Sequence, residues 1–275
     1  MDKLRFGTAG IPLSTPNHNT INGIRYVRKL GLECMELEFV RQINISPQLA
    51  PQVKKVAQDN DVELTCHGQY YINLNSLEEE KQQASMKRVY QAAKVASLCG
   101  AKSMTFHAAY YLGAEKEKVF QKVKESLELI SAKLREEGEQ IIIRPETTGK
   151  ATQWGDLPEI IKMSQEVEDV LPCIDFSHLH ARSGGKNNTY AEFRQMLELV
   201  EKGLGREALD NMHIHLSGIN YTAKGERNHL ILKESDMNYK DLLKVWKEFR
   251  IKGCVISESP NIEEDALLLK REWEK

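Results

Sequence analysis

No apolar run in this sequence approaches the roughly 20 residues needed to span a bilayer, which excludes a transmembrane helix. Met1–Phe6 lacks the basic start and apolar core of a signal peptide, so a cytoplasmic location is the expectation. Disulfides and zinc fingers are poorly provided for. The cysteines Cys34, Cys66, Cys99, Cys173 and Cys254 are odd in number, widely spaced and without a CxxC pair. They read as buried thiols in a reducing compartment. No linker rich in Pro, Gly or Ser divides the chain, so residues 1–275 are expected to form one domain, long enough for a large core. Charge of one sign is not in excess either. A formal charge of -2 neither demands nor excludes a nucleic-acid partner, because a basic face can coexist with an acidic remainder.

What the sequence does have is alternation. Leu4–Thr8, Cys34–Phe39, Val62–Cys66, Ser103–Phe106, Ile141–Ile143, Val170–Ile174, Met212–Leu216 and Cys254–Ser257 read as strands. Between and after them, Thr20–Leu30, Ser46–Asn60, Leu77–Leu98, Lys116–Glu137, Leu157–Gln165, Tyr190–Leu199, Tyr239–Phe249 and Glu263–Trp273 read as helices. Eight strands alternating with eight helices predict a (β/α)8 TIM barrel, with a doubly wound open sheet as the alternative. From His67 to His107 is 40 residues, to Glu146 another 39, to Asp175 another 29, to His215 another 40 and to Glu258 another 43. Each interval is one βα unit. In a barrel these strand ends converge on one mouth, where such enzymes keep their chemistry.

The isoleucine run before Glu146 is the clearest case of a buried strand delivering a carboxylate. Of the eight histidines only His18 lies away from strand ends and the loops after them. One histidine on an apolar strand reads as a hydrogen-bonded core residue. A converging set of imidazoles and carboxylates without matching Lys or Arg would repel or shift its pKa values strongly, and a bound cation removes both problems. Mixed His and carboxylate ligation suits Zn²⁺, with Mn²⁺ or Fe²⁺ as alternatives. Eight or more candidate ligands exceed one tetrahedral site, so two or three metals sharing a bridging carboxylate are expected. Such a pair, roughly 3.5–4 Å apart, serves in-line displacement at phosphorus.

The motifs CHGQYYINL (66–74), TFH (105–107), PETTG (145–149), CIDFSHLHA (173–181), HLSG (215–218), GERNH (225–229) and SESP (257–260) together resemble endonuclease IV, within the xylose isomerase-like barrels. The resemblance runs from about residue 60 to 260. It implies a zinc-dependent hydrolase that cleaves DNA on the 5′ side of abasic sites in base excision repair, acting as a monomer, by in-line attack of a metal-bound hydroxide. Carried over, one metal would be held by His67, His107 and Glu146. A second would be held by Glu146, Asp175, His215 and Glu258, with Glu146 bridging and essential to catalysis. A third would be held by His178 and His229. Tyr70 and Tyr71 fall where the family inserts side chains at the lesion, and base stacking there is worth about 1–3 kcal/mol. Arg41, Arg182, Lys186, Lys224 and Arg227 lie in rim loops and could meet a DNA backbone, although each alone reads as solvated charge.

Three departures from that pattern stand out. Where the family's third metal takes an Asp, two residues before the histidine matching His229, this chain has Arg227, with Glu226 beside it. Either Glu226 substitutes, or the third site is weak and Arg227 meets phosphate instead. HLSG lacks the family's Asp, and His213 shares a strand face with His215, which is preferred as ligand for being nearer the strand end. Arg144 shares a face with Glu146 and needs a partner that the sequence does not name. A sugar or keto-acid isomerase using one or two metals, and a non-catalytic metal or nucleic-acid binding protein, are the alternative readings.

Overall fold

Apolar residues alternate along the short strands, and the alternation decides which side faces the helices. The computed structural model of the chain describes residues 2–275. Its main sheet has eight strands: β1 Leu4–Ala9, β2 Cys34–Glu38, β3 Glu63–His67, β4 Ser103–Phe106, β5 Ile142–Pro145, β6 Cys173–Asp175, β7 Met212–Leu216 and β8 Gly253–Ser257. They pair in parallel in the order β5-β4-β3-β2-β1-β8-β7-β6. The ring closes between β5 and β6 through parallel bridges at Ile143–Val170 and Glu146–Cys173. There Ile143 N donates to Asp169 O at 2.9 Å and Thr147 N to Cys173 O at 3.0 Å. The expected (β/α)8 barrel is therefore the observed fold.

The core is split by the sheet. Met35 and Leu37 on β2, Leu64 and Cys66 on β3, and Met104 and Phe106 on β4 pack outward in one large apolar cluster with the helices. Inside the barrel the apolar cluster shrinks to Cys34, Cys254 and Ile256, with Ala9 against it. On β1 the inner wall is crowded: a Cβ on Gly7 would lie 1.8 Å from the Cys34 carbonyl oxygen, so only glycine fits. The alternate, inward positions of the other strands are left to polar side chains.

A helix follows each barrel strand: Thr20–Lys29, Ala50–Asp59, Glu79–Leu98, Lys116–Glu136, Leu157–Glu166, Tyr190–Leu204, Tyr239–Phe249 and Glu263–Trp273. Some differ from expectation. The second starts at Ala50 instead of Ser46, with Pro51 in its first turn, where a missing N–H costs nothing. Tyr190–Leu204 runs five residues past the expected end, until Gly205 at φ 77° breaks it. β6 starts at Cys173 instead of Val170, because Pro172 cannot donate to a ladder. Two helices were not expected, Phe176–Arg182 and Arg206–Leu209. Neither was the antiparallel hairpin of Gly218–Thr222 with Gly225–Leu230, which rises from the end of β7.

All five cysteines are free and buried. Among the described residues no helix is long and apolar enough to cross a membrane.

Candidate metal centre

Parallel strands in a ring point their C-terminal residues at a common axis, and here those residues are His67, Asp175 and His215, with His107, Glu146 and Glu258 one step beyond β4, β5 and β8. His178 comes from the first turn of Phe176–Arg182. That helix starts where it does because Asp175 Oδ1 accepts from His178 N at 2.7 Å, an N-cap. His229 comes from the hairpin after β7. Thr147 stitches the ends of β5 and β6: its Oγ1 accepts from Asp175 N at 2.8 Å and donates to Asp175 O at 3.1 Å.

Glu146 is the hub. His67 Nε2 and His107 Nε2 each lie 3.3 Å from its Oε2. His178 Nδ1 and His215 Nδ1 lie 3.1 and 3.4 Å from its Oε1. His215 Nδ1 is also 3.4 Å from Glu258 Oε1. Three of the imidazoles turn one nitrogen to a backbone carbonyl. His67 Nδ1 meets Gly68 O at 2.7 Å, His178 Nδ1 meets Thr147 O at 3.0 Å, and His229 Nδ1 meets Glu258 O at 3.2 Å. A carbonyl only accepts, so Nδ1 carries a proton, and Nε2 is the nitrogen that faces inward and that a metal would take once its own proton has left. The two inward nitrogens of His178 and His229 approach to 3.3 Å.

This arrangement leaves polar atoms without partners. Both Glu146 oxygens, Asp175 Oδ2, His215 Nδ1 and Glu258 Oε2 are buried and unbonded. Such groups are rare in folded proteins unless an ion or water takes them. Burial alone would push Glu146 up, yet His107 and His215 hold it well below the usual carboxylate range. Burial likewise works against ionised Glu258, and His215 overrides it, bringing Glu258 down to about 2. Burial opposes protonation of His67, and its contact with Glu146 overrides that, raising it to about 10. Asp175 goes the other way, pushed by burial up to about 6. Protons on imidazoles thus balance the carboxylates, at positions where a cation would do so more completely.

Within 4.8 Å of one another lie ligand atoms of His67, His107 and Glu146; of Glu146, Asp175, His215 and Glu258; and of Asp175, His178, His229 and Glu258. Glu146 belongs to the first two groups and Asp175 and Glu258 to the last two, and the donors, imidazole nitrogen and carboxylate oxygen, suit divalent zinc or manganese.

A family model described as a xylose isomerase-like TIM barrel matches residues 24–274. The chain belongs to the xylose isomerase-like TIM barrel family. An uncharacterized protein of Methanocaldococcus jannaschii is 46% identical over 268 residues, covering 98% of this chain and 96% of that protein. Among solved structures, endonuclease IV from Thermus thermophilus aligns with a TM-score of 0.74 at 16% identity, covering 98% of this chain and 97% of that one. A D-tagatose 3-epimerase-like protein aligns with a TM-score of 0.74 at 18% identity, covering 98% and 96%. At those identities the likeness is one of fold, and that fold occurs in both of those proteins.

Around the family's barrel mouth, the other expected residues separate. Arg227 is exposed on the hairpin and turned from the centre, whereas Glu226 faces it, with Oε2 3.6 Å from His178 Nε2 and Oε1 4.0 Å from His229 Nε2. Gly149, the last residue of PETTG, makes room: a Cβ there would come within 2.6 Å of Glu226. Tyr70 and Tyr71 stand on the rim, 64% and 69% exposed, with the Tyr70 ring edge-on to His67 at 5.9 Å. Arg182, expected at the substrate, holds the loop after β5. Its Nη1 donates to Thr148 Oγ1 at 2.9 Å, to Gln153 O at 3.0 Å and to Lys150 O. Arg144 finds carbonyls and no carboxylate, Pro172 O at 2.8 Å and Asn211 O at 2.7 Å.

His213 is turned away from the three groups around Glu146. Burial brings it down to about 4, so it is neutral at neutral pH, and it belongs with Cys173 and His215 to a ligand-like group of its own. Two acids escaped the sequence reading, Glu36 and Glu38. Both lie inside the barrel, Glu36 fully buried and Glu38 pushed by burial up to about 8. The alternation in CMELE was the signal: if Met35 and Leu37 face the helices, both glutamates must face the axis.

Proposed function

We propose that the protein is a zinc-dependent phosphodiesterase of the endonuclease IV kind, cutting DNA 5′ to abasic sites. The observation that carries this reading is a set of four histidines beyond the Glu146–Asp175–His215–Glu258 group: His67, His107 and His178 against Glu146, and His229 against His178. One metal would be held by His67, His107 and Glu146, and a second by Glu146, Asp175, His215 and Glu258. A third would be held by His178 and His229, with Asp175 or Glu226 completing it. When bound, such metals supply Lewis acidity, an acidified water and charge neutralisation at phosphorus.

The chain's own residues would do the rest. Glu146 would be shared between the first two metals, its Oε2 turned to His67 and His107 and its Oε1 to His178 and His215. The Nδ1–H bonds of His67, His178 and His229 to carbonyls fix which nitrogen is offered inward. Tyr70 and Tyr71 are placed to stack on a base left unpaired at the lesion. Arg227, exposed on the hairpin, would bind backbone phosphate as a bidentate donor. Arg182 would meet substrate only through the rest of its guanidinium, since its Nη1 is bonded to the loop after β5.

A second reading is a sugar epimerase, favoured by the four-ligand group with three carboxylates, Glu146, Asp175 and Glu258, and by the epimerase-like fold match. An enzyme of this kind would use one or two metals and leaves the four histidines unexplained. The experiment is a duplex with a single abasic site, incubated with the zinc-loaded protein and with Glu146→Gln. Wild type should nick the abasic strand once, on its 5′ side, and Glu146→Gln should lose at least about 100-fold in rate. Equal cutting by both, or no cutting alongside epimerisation of a ketohexose, would reject the phosphodiesterase reading.

A further inference from the structure

Below the metal groups, deeper along the barrel axis, a line of polar side chains runs through positions that would ordinarily be apolar. Ser103 Oγ lies 3.1 Å from His213 Nδ1. His213 Nε2 lies 2.9 Å from Glu36 Oε2. Glu36 Oε1 lies 2.9 Å from His215 Nε2. His215 Nδ1 then faces Glu146 and Glu258, each at 3.4 Å. Strands β4, β7 and β2 supply this line, β7 twice, and Glu36, His213 and His215 are at most 1% exposed.

We infer that Glu36 is a positioning residue for the metal centre: it fixes the tautomer and ring angle of His215 so that Nδ1 is the atom offered to a metal. Thr65 Oγ1 donates to Glu36 Oε2 at 2.7 Å, and His213 Nε2 occupies the same oxygen. With Oε2 turned to Thr65 and His213, Oε1 is the oxygen that faces His215. An ionised carboxylate only accepts, so the proton between the two groups sits on His215 Nε2. That leaves the lone pair on Nδ1, facing Glu146 and Glu258. A carboxylate behind a ligating imidazole also makes it the stronger donor. Burying a glutamate at this depth is costly unless it is partnered. Glu36 has one hydrogen bond, from Thr65, and two close imidazole contacts, to His213 and His215 at 2.9 Å each, and a hydrophobic residue would have filled the space without any of them.

The inference rests on the metal-centre reading and is independent of the substrate. Its test is the zinc affinity of the full chain, by competition with a chromophoric chelator, together with the ¹⁵N shifts of the histidine side chains. Glu36→Gln keeps the volume but can turn its amide N–H toward His215, which forces the proton to Nδ1. One zinc per chain should then bind about 10–100-fold more weakly, with the His67 and His107 zinc unchanged. The His215 shifts should change to the Nδ1–H form. Glu36→Asp should recover part of the affinity. Should Glu36→Gln fail to fold, Thr65→Val, which removes only the hydroxyl that holds Oε2, should weaken the same zinc to a smaller extent. Wild-type affinity and an unchanged His215 tautomer in a folded Glu36→Gln or Thr65→Val would overturn the positioning role alone. A wild-type protein that binds no zinc would overturn the metal centre and this role together. Zinc binding without DNA cleavage would reject only the proposed substrate.

Discussion

Glu146 has both oxygens buried, four imidazoles within 3.4 Å and no hydrogen bond. Its neighbours carry the protons that make this tolerable. Zinc should displace them, because a ligating imidazole must give up the proton on its inward nitrogen. His67, raised to about 10, is protonated at neutral pH in the metal-free protein. Titration calorimetry at pH 7.5 in buffers of different ionisation enthalpy should therefore show net proton release on zinc binding. A buffer-independent heat would contradict it. At the third group the decisive residue is Glu226, not Arg227. Removing its carboxylate with Glu226→Ala should cost the weakest-bound zinc, read by elemental analysis after gel filtration, while Arg227→Ala should keep the full metal content. The opposite pattern would mean that the exposed arginine shapes the centre from a distance.

At the scale of elements, the strand ends were legible in the sequence and the hairpin was not. His67, Glu146, Asp175 and Glu258 each follow a short apolar run, so a local pattern is enough to place them at the barrel mouth. Glu226 is positioned by a non-local fit: the hairpin folds down until Glu226 N donates to Gly149 O at 2.9 Å. No spacing within GERNH encodes that contact. Gly225 is the hinge of the arrangement. It sits at φ 94°, and a Cβ on it would lie 2.3 Å from Gly149 O. Gly225→Ala should destabilise the fold by about 1–3 kcal/mol through backbone strain, measured by chemical denaturation. The same variant should weaken zinc binding at His229 and leave the His67–His107–Glu146 group intact. Loss of all the zinc together would show that the groups are not separable. Glu36 and Glu38 were missed for a different reason: in an alternating strand, glutamates are usually on the solvated face, and only closure of the barrel turns that face inward.

For the whole molecule, the ring must be closed before any of these residues meet, and the two ends of the chain take part. Glu33, just before β2, pairs with Lys3 ahead of β1 and with Lys270 of the last helix at 3.0 Å. Burial pushes Glu33 up, but the two lysines override it and hold it below its usual value. A carboxyl lowered on folding adds stability above its unfolded pKa of about 4.3 and loses it as pH falls through the folded value. Thermal melting of Glu33→Gln should thus differ most from wild type at pH 6–7 and converge with it in acid. A gap that widened in acid would reverse the sign and reject this role. The barrel itself was legible from the regular intervals between strand ends, while the polar line through its interior was not, since it depends on which residues face each other across the axis. All of it bears on one claim, that Glu146 bridges metals held by histidines from separate strands. Elemental analysis of protein purified without chelator tests this most directly. Two to three zinc per chain, falling by at least one in Glu146→Gln, is the expected result; a single weakly held manganese or magnesium, unchanged in Glu146→Gln, would contradict it.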